Sequence, residues 1–340
     1  MSTSLILLIH RVSDTYELYS YSVLLIIGMI SNFLNATVFL TFRPFRVNQC
    51  AFYFAAESIA NIGLFLVIFP LNIYYRISNI DLTHVSLCWC KMEAGLSGSF
   101  GLCSLYAICF QTIDQYLATN PRPSFRQIST MKLARRSVLC IACFAILHNI
   151  PLIITSEIQE SGSCSVSNDA LQTYNAVFYY PVLCTALPLL TTITFSFLAY
   201  RNVRRIVRRQ MPVVRRRLDR QMTVMVLART VNLILLGLPY VIYNIYTLNL
   251  RDIDQNQLEE VIVGLVGLLA YSLLYLNFAV NFYLFLIVST RFRRQVKHGI
   301  MKKCCAKCYN FHPSNRRRHS RNQVVPETAL RQVSGGVESA

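Results

Sequence analysis

Seven long apolar stretches, each bounded by polar or basic residues, run along the chain at residues 21–42, 51–75, 90–119, 137–155, 174–200, 221–246 and 261–289. A hydrocarbon layer about 30 Å thick is crossed by about 20 mostly apolar helical residues, so every stretch is long enough to span it. Spanning backbone must satisfy its own hydrogen bonds, which in stretches of this length means helix. The pattern predicts an all-α membrane protein, a seven-transmembrane helix bundle. A further apolar run, residues 4–9, is too short for a span. It has no basic region before it and no small-residue cleavage site after it, so the first stretch is expected to act as the signal anchor.

Composition agrees: 54% of residues are hydrophobic and 14% charged, against roughly 25% charged in soluble domains. The net charge of +17 would suit nucleic acid or an anionic membrane surface. The basic residues lie in clusters between spans, without a zinc-finger, helix-turn-helix or RNA-binding pattern, so no nucleic-acid partner is expected. The clusters also give the orientation. With the N-terminus outside, the inner connections hold Arg43 and Arg46, then Arg122, Arg126, Lys132, Arg135 and Arg136, then nine arginines between residues 201 and 220, and twelve basic residues from Arg291 onward. The outer side has Arg11, Arg76, Lys91 and Arg251 and most of the acids. Basic residues stay on the cytoplasmic side, which predicts N-terminus out and C-terminus in. Glu57 and Arg229 are then left inside the bilayer. The expected organisation is an extracellular N-terminus (1–20), a seven-transmembrane domain (21–289), a short amphipathic eighth helix with juxtamembrane cysteines (290–308) and a disordered cytoplasmic tail (309–340).

Landmark residues recur at ordered positions in these spans. The first has Gly28-x-x-x-Asn32; the third starts at Cys90 and ends in Asp114-Gln115-Tyr116; Cys164 lies between the fourth and fifth. Pro188 and Pro239 fall in the fifth and sixth, and the seventh carries Asn277, Asn281, Phe282 and Phe285 ahead of Arg291-Phe292-Arg293-Arg294. Together these resemble the rhodopsin-like (class A) G-protein-coupled receptors along nearly the whole membrane region. Several positions depart from the family pattern. Gln115 replaces the Arg of the Asp-Arg-Tyr box, Asn61 the second-span Asp, Leu236-Gly237-Leu238-Pro239 the Cys-Trp-x-Pro motif, and Asn281-Phe282-Tyr283-Leu284-Phe285 the Asn-Pro-x-x-Tyr motif; the fourth span lacks its Trp. Such a set is similar to that of divergent invertebrate orphan members.

The resemblance implies a Cys90–Cys164 disulfide on the oxidising side, with Cys88 as a competitor. It groups Asn32, Asn61, Ser104, Asn277 and Asn281 around a polar core that in relatives holds sodium; with Asn61 in place of the carboxylate, sodium regulation is expected to be weak or absent. It puts Glu57, one turn from Asn61, and Arg229 in a normally apolar layer. There they either pair and restrain the sixth helix or Arg229 snorkels to the inner surface. Asp219 matches the acid that clasps the box Arg, and Gln115 can offer it only a neutral hydrogen bond. Asp114, Gln115, Tyr116, Asp219, Arg229 and Phe285 are the expected switch and coupling residues.

By the same resemblance a ligand cavity would be lined by Glu93, Ser97, Tyr180, Tyr240, Asn244, Tyr271 and Tyr275. Ser97 stands where amine receptors have Asp, which disfavours a monoamine, and the seventh span has no Lys for a retinal Schiff base. With Glu93 deep and Asp252, Asp254, Glu259 and Glu260 above it, a short cationic or amidated peptide is the expected extracellular ligand. A heterotrimeric G protein is the expected inner partner. Arg204, Arg205, Arg208, Arg209, Arg215, Arg216 and Arg217 suit anionic inner-leaflet lipids or an acidic partner surface, or simply hold the loop inside. Cys304, Cys305 and Cys308 are expected palmitoylation sites, ahead of a zinc site with His312. The sequon at Asn35 lies inside the first span, so no N-glycan is expected. No paired carboxylates, zinc-ligand set or phosphate loop stands out, so neither enzymatic activity nor a cofactor is expected, and no metal. The expected location is the plasma membrane. Two rival readings remain: a non-signalling seven-helix scavenger or chaperone, favoured by Gln115, and a transporter or channel, for which no polar pathway or repeated halves are evident.

Overall fold

A computed structural model describes residues 2–159, 164–206, 213–250 and 257–299 of the 340-residue chain. It divides into a unit Met1–Lys297 and a second, His298–Ala340, of which only residues 298 and 299 are described. Within the first unit, seven helices are long and apolar enough to cross a membrane. They are α1 (Ser2–Thr41), α2 (Gln49–Ser78), α3 (Leu87–Thr119), α4 (Met131–Thr155), α5 (Leu187–Ile206 with the helical residues leading into it), α6 (Val213–Leu250) and α7 (Gln257–Ala279, resuming as Asn281–Val288). A further helix, α8, covers residues 290–299. Cys304, Cys305 and Cys308, Arg208 and Arg209, Asp252 and Asp254, and the tail 309–340 lie outside the described residues.

Side chains at the helix starts supply acceptors for backbone N–H groups that have no intrahelical partner. Asn48 accepts from Ala51 N ahead of α2, and Thr130 from Leu133 N ahead of α4. At the other end of α2, Asn79 takes the left-handed conformation (φ 56°), which Asn tolerates better than most residues. α3 lies at the centre, against α2, α4, α5 and α6, while α1 packs on α2 and α7. α4 approaches α3 closely through Gly95 and Gly98. A Cβ on Gly98 would meet Asn149 Oδ1 at 2.2 Å, and one on Gly95 would meet Ile153 at 2.2 Å. Small residues at a helix contact let backbones approach closely in membranes, where packing rather than water exclusion drives association. The outward faces are apolar, with Leu139, Leu147, Leu190 and Leu235 exposed.

Two boundaries differ from the sequence reading. The first helix does not begin at residue 21 but runs unbroken from Ser2 for 40 residues, about 60 Å at 1.5 Å per residue. It therefore projects well beyond a bilayer. Its polar turns are held by Arg76 at the end of α2, which reaches Asp14 Oδ1 at 2.5 Å and also pairs with Glu17. Charge partners on a neighbouring helix are invisible to hydropathy. The second difference concerns α5, where the irregular backbone is centred on Pro181 rather than Pro188. Asn175–Ala186 forms a twelve-residue π-helical stretch that contains Pro181, and Pro188 stands within the regular helix after it. Such stretches widen the turn and often mark functional sites.

Beyond α4, β1 (Ser156–Ile158) and β2 (Cys164–Val166) pair antiparallel, with Ile158 opposite Cys164. Cys164 is bonded to Cys90 at the start of α3, closing a 74-residue separation. Cys88 is free and exposed, its Sγ 3.8 Å from Met92 Sδ. Removing a native disulfide commonly costs 2–5 kcal/mol. Cys90→Ser and Cys164→Ser are therefore expected to lower the melting temperature of the detergent-solubilised protein by about 5 °C or more, and Cys88→Ser to leave it within a degree or so. A thermal-unfolding assay on the three variants checks this.

Candidate functional site

Polar side chains that a bilayer would reject gather in the middle of the bundle. Glu57 on α2 and Arg229 on α6 are 1% and 0% exposed. They form an ion pair, Arg229 Nε donating to Glu57 Oε1 at 2.8 Å. The same Oε1 accepts from Asn281 Nδ2 at 2.9 Å, and Arg229 Nη1 donates to Asn277 Oδ1. Asn232, a residue the sequence reading passed over, donates to Asn277 Oδ1 at 3.0 Å. It stands three residues beyond Arg229 on the same helix face. α2, α6 and α7 are thus joined through one carboxylate and one guanidinium. Glu57 Oε2, Arg229 Nη2, Asn277 Nδ2 and Asn281 Oδ1 keep hydrogen-bonding capacity that no side chain uses. Two are acceptors and two are donors, the complement of a water molecule.

One turn away a neutral group forms. Asn32 Nδ2 donates to the carbonyls of Gly28 and Phe278 at 2.9 and 3.0 Å, Asn61 Nδ2 to Asn32 Oδ1 at 3.1 Å, and Ser104 Oγ to Asn61 Oδ1 at 2.6 Å. Asn61 is occupied by side chains on both its amide atoms. Carbonyl acceptance at Phe278 comes where α7 breaks at Val280 before resuming at Asn281.

Apolar clusters close this layer on both sides. Toward α8, Phe285 lies among aromatic rings, 4.6 Å from Phe54 and 6.1 Å from Phe39 and Phe292, with Met222, Met225 and Val226 alongside. Toward the disulfide end, Leu64, Phe65, Phe69, Leu105, Leu233 and Phe278 form the other cluster. Snorkelling of Arg229 to the surface is incompatible with this position.

At the end of α3 away from the disulfide, Gln115 donates to Thr223 Oγ1 at 2.7 Å and to the backbone carbonyl of Asp219 at 3.1 Å. This bond to Asp219 is to its main chain, not to the carboxylate anticipated from sequence; a hydroxyl one turn further along α6 completes it. Asp114 accepts from Ser129 Oγ at 2.7 Å in the connection to α4. Tyr116 faces Phe195 of α5, ring centres 5.6 Å apart.

A cavity of about 370 Å³ opens above the polar layer at the disulfide end. Ser97, Tyr180, Tyr240, Tyr271 and Tyr275 line it, as do Tyr179 and Cys184 of the π-helical stretch, Leu233 and Gly237 of α6, and the strand residues Cys164, Ser165 and Val166. The tyrosines interlock, Tyr240 against Tyr271 at 5.0 Å and Tyr179 against Tyr180 at 4.9 Å. Two residues expected here are elsewhere. Glu93 is not in the lining of this cavity; one turn from Ser97 on α3, it borders a separate cleft between α2 and α3. Asn244 is not in the lining either, its amide donating to the Tyr240 carbonyl at 2.8 Å. Among the described residues no charged side chain lines the cavity.

A search of curated proteins finds no match. The family model for the 7 transmembrane receptor (rhodopsin family) matches residues 31–284, from the last three turns of α1 to the resumed part of α7. With three quarters of its length matched and seven spanning helices in the expected order, the chain belongs to the rhodopsin family of seven-transmembrane receptors.

Proposed function

We propose that this receptor takes an extracellular ligand into the tyrosine-lined cavity and passes a shift of α6 to a heterotrimeric G protein at its basic end. In this reading the disulfide end faces outward and the arginine-rich connections face the cytosol, in the plasma membrane, which the asymmetry of basic residues supports. The observation that carries this reading is on one helix. α6 lines the cavity with Leu233, Gly237 and Tyr240, and one turn below Leu233 it is tied to α2 and α7 by Arg229. A ligand that displaces the upper part of α6 acts directly on that tie, so two packings of the helix differ in the bonds made by Arg229.

The cavity lining supports an amidated peptide over a cationic one. With Glu93 outside and no charge in the wall, an uncharged carboxamide end meeting tyrosine hydroxyls avoids the cost of burying an unpaired ion. The volume admits one or two residues of such a peptide, with the rest at the mouth. At the inner end, Gln115 makes only neutral hydrogen bonds to α6, each worth about 1 kcal/mol. The restraint on α6 then falls mainly on the Glu57–Arg229 pair.

Breaking that pair from one side leaves a buried unpaired charge, a loss of about 3–5 kcal/mol. Glu57→Gln and Arg229→Gln are each expected to reduce surface expression several-fold. The double variant, neutral and still able to hydrogen-bond, is expected to recover expression and to raise ligand-independent second-messenger output above the wild type. Normal expression of the double variant with unchanged basal output contradicts the restraint. Coupling itself is tested by co-expression with a promiscuous G protein and an amidated-peptide library. The wild type is expected to respond, and Gln115→Arg to lower its basal output by adding a cation beside Asp114. Silence of both proteins under every peptide and without ligand would favour a non-signalling scavenger.

A further inference from the structure

On the lateral surface of the bundle, away from the tyrosine-lined cavity, α2 and α3 leave a cleft of about 230 Å³ at the disulfide end. Leu66, Val67 and Pro70 form one wall; Trp89, Glu93 and Leu96, spaced i, i+4 and i+7 along α3, form the other. It opens to the surroundings of the bundle, since Leu66 is 54% and Trp89 42% exposed. Its one charged group is the Glu93 carboxylate. Glu93 makes no ion pair among the described residues; Lys91 turns away to the Ile154 carbonyl, His84 pairs with Asp81, and Arg76 is held by Asp14 and Glu17.

An anion in an apolar, lipid-facing cleft needs a cation from outside the chain. The bilayer supplies one in the form of a lipid head. Trp89 is the third residue of α3, at the level where tryptophans sit among head groups, and an indole face attracts a quaternary ammonium. Asp81 and His84 act on the site with opposite sign, so the Glu93 carboxylate itself is what disfavours an anionic lipid. We propose that this cleft binds the choline head of a zwitterionic phospholipid, its ammonium between the Glu93 carboxylate and the Trp89 indole and its chains along Leu66 and Leu96.

Trp89 is the only tryptophan in the protein, so its fluorescence reports on this cleft alone. The full-length protein is reconstituted in vesicles with phosphatidylcholine or phosphatidylglycerol brominated close to the glycerol, and quenching is measured against mole fraction. The expected relative binding constant favours phosphatidylcholine by roughly threefold, the size of a partly exposed ion pair with the carboxylate, and Glu93→Gln is expected to bring the ratio to about one. Equal quenching by the two lipids in the wild-type protein overturns the proposal, as does a preference that persists in Glu93→Gln. Should the variant fail to fold, the wild-type ratio alone decides.

Discussion

A full charge in the middle of a membrane bundle has to be answered within hydrogen-bonding distance, and that requirement fixes how α2, α6 and α7 meet. The idealised cost of moving an ion from water to a low-dielectric interior is of order 20 kcal/mol. Neither Glu57 nor Arg229 has the surface of the bundle within reach, because apolar clusters lie on both sides of the layer. Each is therefore obligatory for the other. A pair of this kind adds little net stability over well-packed apolar residues; what it supplies is registry. In this rotation of α6 Arg229 has its Nε on Glu57 and its Nη1 on Asn277, and Asn281 also donates to the carboxylate.

That arrangement makes sense of the motifs the chain has lost. Where relatives carry a cation at the inner end of α3, this chain has Gln115, bonded to a hydroxyl and a carbonyl. The cation has in effect moved to α6 and inward by about two turns, from residue 223, opposite Gln115, to residue 229. The acid likewise stands at 57, with Asn61 neutral one turn away and saturated by Asn32 and Ser104. The polar core and the helix restraint are thereby adjacent, and Leu233 connects both to the cavity floor. The unshared hydrogen-bonding atoms around the pair form a small reserve that water can fill, which allows α6 to change partners without passing through a dry, unpaired state.

Much of this was legible in the sequence because bilayer physics is severe. Span number follows from apolar length, and Glu57 and Arg229 stood out as the charges that no loop could accommodate. Placement within a span was harder. In α3 nearly every residue is compatible with lipid or with protein, and Ser97 and Glu93 are one turn apart on one face, so periodicity does not tell that Ser97 lines the tyrosine cavity while Glu93 borders the neighbouring cleft. Asn232 and Thr223 escaped notice since small polar residues in a span are unremarkable until a partner on another helix is known. Asp14 and Glu17 count in the sequence only as acids of the outer side, yet with Arg76 they hold the polar turns of α1 that run far past its apolar stretch. The π-helical course of Asn175–Ala186 has its signal in Pro181, which competes in sequence with Pro188 seven residues on.

The central claim, that the buried ion pair holds the inner end of α6 against the bundle, is a claim about a distance. Spin labels at Gln127 and Arg220, both exposed at the inner end, report it by pulsed electron resonance in reconstituted protein. The account predicts one narrow, short distance in the wild type and an added population several ångströms longer when Glu57 and Arg229 are both replaced by Gln. Identical distance distributions in the two proteins would contradict it.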